Sequence, residues 1–233
     1  MTQKPTISVI VLAYNEQYRL ASCLDSLAQQ SVLPDEIIVV DNNSTDETAA
    51  VAARYSFVRV IRETKQGIVY ARDTGFDAAR GDLLIRLDAD CQAAPDWIST
   101  IVEAFAGDSK LMAANSNYAT TELSPNGKYW GKWVFSWFRQ WHQRHLGITP
   151  VLYGSTLILR RSAWSAIRKY LVRARYLSED IDITLALMEH RQKAAIIPGA
   201  IVKMAAIRGL NLKKMLRYKR LDDEMLAHHH YRS

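Results

Sequence analysis

Apolar residues in the first half of the chain alternate between two rhythms. Ile7–Leu12 is a nearly unbroken apolar run, as expected of a strand covered on both faces. Glu16–Gln30 follows with Leu20, Cys23, Leu24 and Leu27 at helical spacing. Pro34-Asp35 then introduces a second buried strand, Glu36–Val40. Thr45–Arg54 reads as a helix with Ser44 as its N-cap, and Asp46 and Glu47 suit the positive end of its dipole. Phe57–Ile61 is a third strand, Gly67–Ala79 a helix stopped by Gly81, and Asp82–Leu87 a fourth strand. Strands and helices joined this closely predict an α/β fold with a doubly wound, mostly parallel sheet. Ligands in such folds sit beyond the C-terminal ends of the strands. Those ends here are Ala13-Tyr14-Asn15, Asp41-Asn42-Asn43 and Asp88-Ala89-Asp90, all rich in polar or acidic groups.

The second half is less regular. Pro95–Ala106 looks helical and Leu111–Ala119 looks like a strand. A Trp-rich helical segment runs from Asn126 to about His145, and Val151–Arg160 returns as a strand. Ser162–Lys169, Ser178–Glu189 and a basic Asn211–Ala227 complete the helices, with Ser178 as an N-cap. The closing His228-His229-His230 tract could bind metal but reads better as part of a tail over 228–233.

Composition narrows the class. A chain of 233 residues, 48% hydrophobic and 23% charged, is long enough for one core, with or without a small appended subdomain, and is not globally disordered. The net charge of +6 calls for an anionic partner: nucleic acid, a phosphorylated small molecule or an anionic membrane. No recognisable nucleic-acid-binding motif accompanies the charge, so nucleic acid is not expected. Cys23 and Cys91 have neither zinc-site nor disulfide spacing, and reduced thiols in a cytosolic enzyme are the default. No apolar stretch reaches the roughly 18 residues of a membrane span.

Asp88 and Asp90, two residues apart after a buried strand, can face one hard divalent cation, and oxygen donors favour Mg²⁺ or Mn²⁺. A solvated turn is the plainer alternative for that pair. Asp41 could accept a hydrogen bond from a base imide N–H, which uracil and thymine share. Arg72 could meet base or phosphate, in competition with a surface ion pair to Asp73 or Asp77. Glu179 and Asp180 fall in a first helical turn, where acids compensate the dipole but could also supply a general base.

These pieces, in this order, resemble glycosyltransferase family 2, whose catalytic domain has the GT-A fold. The similarity rests on Ser8-Val-Ile-Val-Leu-Ala-Tyr-Asn-Glu16, Val40-Asp-Asn-Asn-Ser-Thr-Asp46, Gly67 through Ala71-Arg72-Asp73, and Gly81-Asp-Leu-Leu-Ile-Arg-Leu-Asp-Ala-Asp90. Weaker matches follow at Tyr153-Gly-Ser-Thr-Leu-Ile-Leu-Arg-Arg161 and Ser178-Glu-Asp180. The resemblance implies an inverting transfer from a nucleotide-sugar donor to an acceptor hydroxyl on a glycan or lipid-linked molecule; Asp41 favours a UDP-sugar, with GDP and dTDP donors open. Ala13, Tyr14 and Glu16 would border base and ribose, Asp41 would read the base and Arg72 would lie near the nucleotide. Asp88 would contact ribose or metal, Asp90 would hold Mn²⁺ or Mg²⁺, and Asp180 would be the base with Glu179 beside it. Gly154 and Ser155 would line the acceptor side. Residues 1–227 would form one catalytic domain, about 6–118 for the donor and 119–227 for the acceptor.

Two departures stand out. Asp73 replaces the asparagine of the usual Ala-Arg-Asn, and Leu221 stands where processive members carry tryptophan. A non-catalytic nucleotide-sugar sensor and a sugar nucleotidyltransferase are the competing expectations. The second would need a glycine- and lysine-rich loop after the first strand, where this chain reads Ala13-Tyr14-Asn15-Glu16-Gln17. Trp130, Trp133, Trp137 and Trp141 share one helical face, which suits packing on the sheet, stacking on acceptor sugars or a membrane interface. Basic clusters at Arg160–Arg175 and Lys203–Arg220 contain no acid and point to peripheral contact with an anionic inner leaflet.

Overall fold

The computed structural model of the chain describes residues 4–119, 140, 143, 144, 146–148, 150–174, 178–204 and 212–229, with backbone alone over 212–219. The strands are β1 (Ile7–Ala13), β2 (Glu36–Asp41), β3 (Val58–Arg62), β4 (Leu83–Asp88), β5 (Cys91–Ala93), β6 (Leu111–Ala119), β7 (Leu157–Arg160) and β8 (Lys193–Met204). They form one sheet in the order β3-β2-β1-β4-β7-β6-β8-β5. β1 to β4 are mutually parallel, β7 runs against its neighbours β4 and β6, β8 is parallel to β6, and β5 is antiparallel to β8. The mostly parallel α/β sheet expected from the sequence is therefore present.

Helices α1 (Leu20–Ala28), α2 (Thr48–Ala53) and α4 (Trp97–Gly107) cover one face. Helices α3 (Ile68–Ala78), α5 (Arg161–Ile167) and α6 (Glu179–Glu189) cover the other. All seven residues of β1 are buried, which explains its apolar run: alternate side chains enter opposite cores. A smaller cluster joins Val69 of α3, Leu146, Ile148, Val151, Ile181 and Leu185 of α6, and Met225 of α7 (Leu212–His228).

Several boundaries differ from the sequence reading. Helix α2 begins at Thr48 rather than Thr45, because Ser44 spends its hydroxyl accepting from the Asn15 amide instead of capping. Glu47, the residue before the helix, makes no side-chain capping bond, and Asp46 accepts from the Thr48 amide at 3.0 Å. The strand expected over Val151–Arg160 is shortened to β7, preceded by a 3₁₀ turn at Gly154–Thr156. β8 was not anticipated. Pro198 and Gly199 break its pattern, and the sheet absorbs them in an irregularity between Ile197 and Ile201.

The C-terminal helix is docked. Ser178 makes no capping bond; its hydroxyl donates to Asp222 of α7. His229, expected in a tail, is nearly buried between Asp182 and Glu189 of α6, at 2.9 Å from each. The hydrogen bond to Asp182, reinforced by Glu189, raises its pKa. A raised folded-state value means this contribution to stability is complete below the unfolded value of about 6.5 and is lost as pH rises through the folded one. The stability lost in His229→Gln should accordingly be largest near pH 5.5 and shrink toward pH 8.5, as read from urea midpoints at each pH. A pH-independent difference would mean that His229 contributes packing alone.

Candidate active site at the carboxyl edge of the sheet

The C-terminal ends of β1, β2 and β4 lie side by side. Ala13 pairs in register with Asp41, and Leu12 with Asp88. The loops after β1 and β2 are interlocked: Glu16 N–H donates to Thr48 Oγ1 at 2.8 Å and Asn15 Oδ1 accepts from Thr45 N–H at 2.9 Å. Asn15 and Asn43 adopt positive φ there, which asparagine tolerates better than most residues.

A cavity of about 310 Å³ opens at this edge on the α3 side, lined by Ala13, Tyr14, Asn42, Gly67, Ile68 and Ala71 among others. Tyr14 and Ile68 stand exposed at its margin. Asn42 shapes it, accepting from Gly67 N–H at 2.8 Å and donating to the Lys65 carbonyl at 2.9 Å. Glu16 pairs with Arg19 at 3.3 Å beside it in sequence. Asp41, almost fully buried at the end of β2, accepts from Ser44 N–H at 3.2 Å through Oδ1.

Beyond β4, the Asp88–Asp90 turn carries two partly exposed carboxylates. Arg86, on the buried strand, donates through Nε and Nη2 to Asp88 Oδ1 at 3.1 and 3.0 Å. Its Nη1 donates to Glu179 Oε1 at 2.6 Å. The other Glu179 oxygen faces Arg72 Nη1 at 3.5 Å. Burial raises the Asp88 pKa, partly offset by Arg86, and the neighbouring Asp90 and Glu179 charges raise it further. Cys23 and Cys91 pack beneath the turn, one toward the Asp88 carbonyl and the other toward Asp90 Oδ1. Burial pushes both thiols far above their ordinary range, so they are inert, unpaired thiols.

Asp180 follows Glu179 but lives differently. Its Oδ1 accepts from Gly154 N–H at 2.7 Å, and no described residue meets Oδ2. Its backbone carbonyl accepts from Thr184 Oγ1 at 2.7 Å, and that hydroxyl in turn accepts from Leu152 N–H at 3.1 Å. Asn115 of β6 clamps Tyr153 on both backbone groups. These bonds hold residues 152–153 extended against α6 and fix the start of the 3₁₀ turn at Gly154, which is why β7 starts late. Burial, then the Glu179 charge, pushes Asp180 up to about 7, with Arg86 and the Gly154 amide opposing. It remains partly open to solvent, so both protonation states are reachable. Ser155 Oγ lies 2.6 Å from the buried Tyr118 hydroxyl.

The structure thus gathers Asp88, Asp90, Glu179, Asp180, Gly154 and Ser155, and sets Ala13, Tyr14, Glu16 and Asp41 at the neighbouring strand ends. Arg72 has no exposed surface, and its ion pair with Asp73, expected at the surface, is internal at 2.9 Å. Asp73 also receives Arg168 at 3.3 Å and Arg173 at 2.8 Å, which gives the departure from asparagine a physical role: it anchors three guanidinium groups. Much of the first basic cluster is consumed in this way, since Arg160 donates to the Leu111 and Phe105 carbonyls and Arg161 pairs with Asp82. Sequence reading missed Arg86 and Asn115, although a lone arginine inside the apolar Leu83–Leu87 run was a legible signal. Trp130, Trp133, Trp137 and Trp141 lie outside the described residues.

Comparison with known proteins agrees with this architecture. The chain is 36% identical over 135 residues to a dolichol-phosphate mannosyltransferase of Pyrococcus furiosus, a match covering 55% of this chain and 38% of that one. Several curated relatives are longer, and the match spans only 28% to 38% of them. A mannosyltransferase from Pyrobaculum calidifontis, solved with GDP-Man and Mn²⁺, superposes with a TM-score of 0.74 at 20% identity, covering 100% of this chain and 66% of that one. Glucosyl-3-phosphoglycerate synthase from Mycobacterium tuberculosis, solved with Mn²⁺, UDP and phosphoglyceric acid, gives 0.71 at 21% identity, covering 98% and 80%. The fold is therefore GT-A. The family model for glycosyl transferase family 2 matches residues 8–167, more than half of the sequence, and the chain belongs to that family.

Proposed function

We propose that this chain is a metal-dependent, inverting glycosyltransferase that moves a sugar from a nucleotide-sugar donor to an acceptor hydroxyl. One observation carries the reading: Asp180 presents an unengaged Oδ2 on the same Arg86–Glu179 scaffold that holds Asp88. A proton acceptor and a two-carboxylate turn are thereby fixed relative to each other.

The donor set fits a hard divalent ion. Among the described residues no group of three or more His, Cys, Asp or Glu side chains could hold a metal. Mg²⁺ and Mn²⁺ sites of the phosphate-binding kind need only one or two carboxylates, with phosphate and water completing the shell. Asp90 would hold such an ion with Asp88 beside it, and the ion would offset charge building on the departing diphosphate. Asp180 Oδ2 takes the acceptor proton while the acceptor oxygen attacks the anomeric carbon from the face opposite the nucleotide. One in-line displacement inverts that centre. Gly154 and Ser155 border the acceptor, and the base lies over the Ala13–Asp41 edge with Tyr14 against it and Glu16 toward the ribose. Arg72 acts through Glu179 rather than by touching the nucleotide.

Residues 6–118 serve the donor and 119–227 the acceptor within a single domain. A carboxylate at Asp41 suits the imide N–H of uracil, and we favour UDP-sugars over GDP-sugars. We place the product among cell-envelope glycans or lipid-linked glycans. No helix among the described residues is long and apolar enough to cross a membrane. Peripheral contact with an anionic membrane would rest on the basic clusters; much of the first is internally paired, and the side chains of Arg208, Lys213, Lys214, Arg217 and Lys219 in the second lie outside the described residues. Cosedimentation with anionic vesicles at low salt is the expected outcome, and no binding would remove that contact.

The test of the main reading is binding of UDP, GDP, dTDP and CMP with and without Mn²⁺, beside Asp90→Ala. Metal-dependent binding of one nucleotide, lost in Asp90→Ala, is expected. If none binds in a metal-dependent way, the transferase reading falls.

A further inference from the structure

Arg86 occupies an unusual place. Its neighbours along β4, Leu83, Leu84, Ile85 and Leu87, are all fully buried apolar residues, and Arg86 itself is 2% exposed. A guanidinium there is costly unless every arm finds a partner. Each arm does. Nε and Nη2 converge on one oxygen of Asp88, which leaves Oδ2 of that carboxylate outside the interaction, while Nη1 reaches Glu179. The same Nη1 lies 2.4 Å from where a Cβ on Gly154 would be, so Arg86 also fills the space under the turn whose amide orients Asp180. One side chain therefore touches the metal-side turn, the base-bearing helix and the turn that aims the base.

We propose that Arg86 is a positioning residue that sets the separation between the Asp88–Asp90 turn and Asp180, by bridging Asp88 and Glu179 across the catalytic edge. The proposal rests on the glycosyltransferase reading above. Lysine cannot substitute, because a single ammonium lacks the planar fork that engages two carboxylates in different directions.

Arg86→Lys and the double variant Arg86→Gln/Glu179→Gln test it, the second removing the buried cation together with its buried partner, so that Glu179 is not left as an unpaired buried charge while the partly exposed Asp88 can turn to solvent and Arg72 keeps Asp73. Three quantities are read: thermal melting, Mn²⁺ affinity by electron paramagnetic resonance with UDP or GDP present, and kcat against donor KM at saturating Mn²⁺. Both variants are expected to melt cooperatively, to bind Mn²⁺–nucleotide about 10–100-fold more weakly, and to lose about 100-fold in kcat with little change in donor KM. A purely structural role would lower the melting temperature and leave Mn²⁺ affinity and kcat of the folded protein at parental values. That result, in either variant, overturns the proposal. If the parent chain itself binds no nucleotide in a metal-dependent way, the transferase reading fails and this inference with it, a pattern distinct from parental binding with unaltered variants.

Discussion

Replacing Asp180 by asparagine is expected to lower kcat by about 10²–10⁴-fold, the range that general-base help supplies, while metal-dependent nucleotide binding stays near the parent's. The substitution keeps the shape and the acceptor for the Gly154 amide but removes the proton-accepting oxygen. The pH profile is the sharper readout. Burial and the Glu179 charge push Asp180 up to about 7, so the base form grows as pH rises through neutrality. The parent's kcat should climb over that interval and level off above it, and the residual rate of Asp180→Asn should not follow the same curve. Linkage gives a second check of opposite sign. A carboxyl whose folded-state value is raised favours the folded state at low pH and loses that contribution as pH rises from its ordinary 3.8 through about 7. Asp180→Asn should therefore be more stable than the parent at pH 8, measured by urea unfolding. A variant that retains parental kcat would remove Asp180 as the base.

Gly154→Ala is expected to be nearly as damaging, although it removes no functional group. An added Cβ would lie 2.4 Å from Arg86 Nη1, 2.7 Å from Asp180 Oδ1 and 2.9 Å from Glu179 Oε1. None of these can yield freely. Arg86 is held at both ends by carboxylates, and the segment carrying Gly154 is clamped through Asn115 and Thr184. Overpacking of this kind typically costs about 1–3 kcal/mol, and a displacement of about 1 Å at the reacting groups can cost about 100-fold in rate. The measurement is kcat beside the urea midpoint: a large fall in kcat with moderate destabilisation is expected. A crystal structure of the variant with Asp180 and Arg86 unmoved, together with parental kcat, would show that the turn is not under constraint.

The two effects come from different levels of organisation. Asp180 matters for its own oxygen, and Gly154 for the space it leaves to three charged side chains. Glu179 belongs with Gly154: buried and engaged by Arg86 and Arg72, it braces the site and has no oxygen free to take a proton. That separates the roles of two adjacent acids that the Ser178-Glu179-Asp180 string presents as equivalent.

The first half of the fold and the acidic strand ends were legible from the pattern of residues. Buried parallel strands must be apolar on both faces, so Ile7–Leu12 and Glu36–Val40 announce themselves, and polar residues can follow only where the strands leave the core. Asp41, Asp88 and Asp90 were legible for that reason. Periodicity could not carry β8, because Pro198 and Gly199 interrupt it and pairing with β6 decides its conformation. Nor could local pattern reveal that Ser44 and Ser178 forgo capping, since Asn15 and Asp222 compete for their hydroxyls from distant parts of the chain. Asp73, Arg72 and His229 looked like surface or tail residues until folding brought Arg168 and Arg173, Glu179, and Asp182 against them. Which carboxylates are paired and which keep a free oxygen emerges only when distant segments meet. Pairing depends on distances between segments as far apart as Arg86 and Glu179, and desolvation makes those distances count.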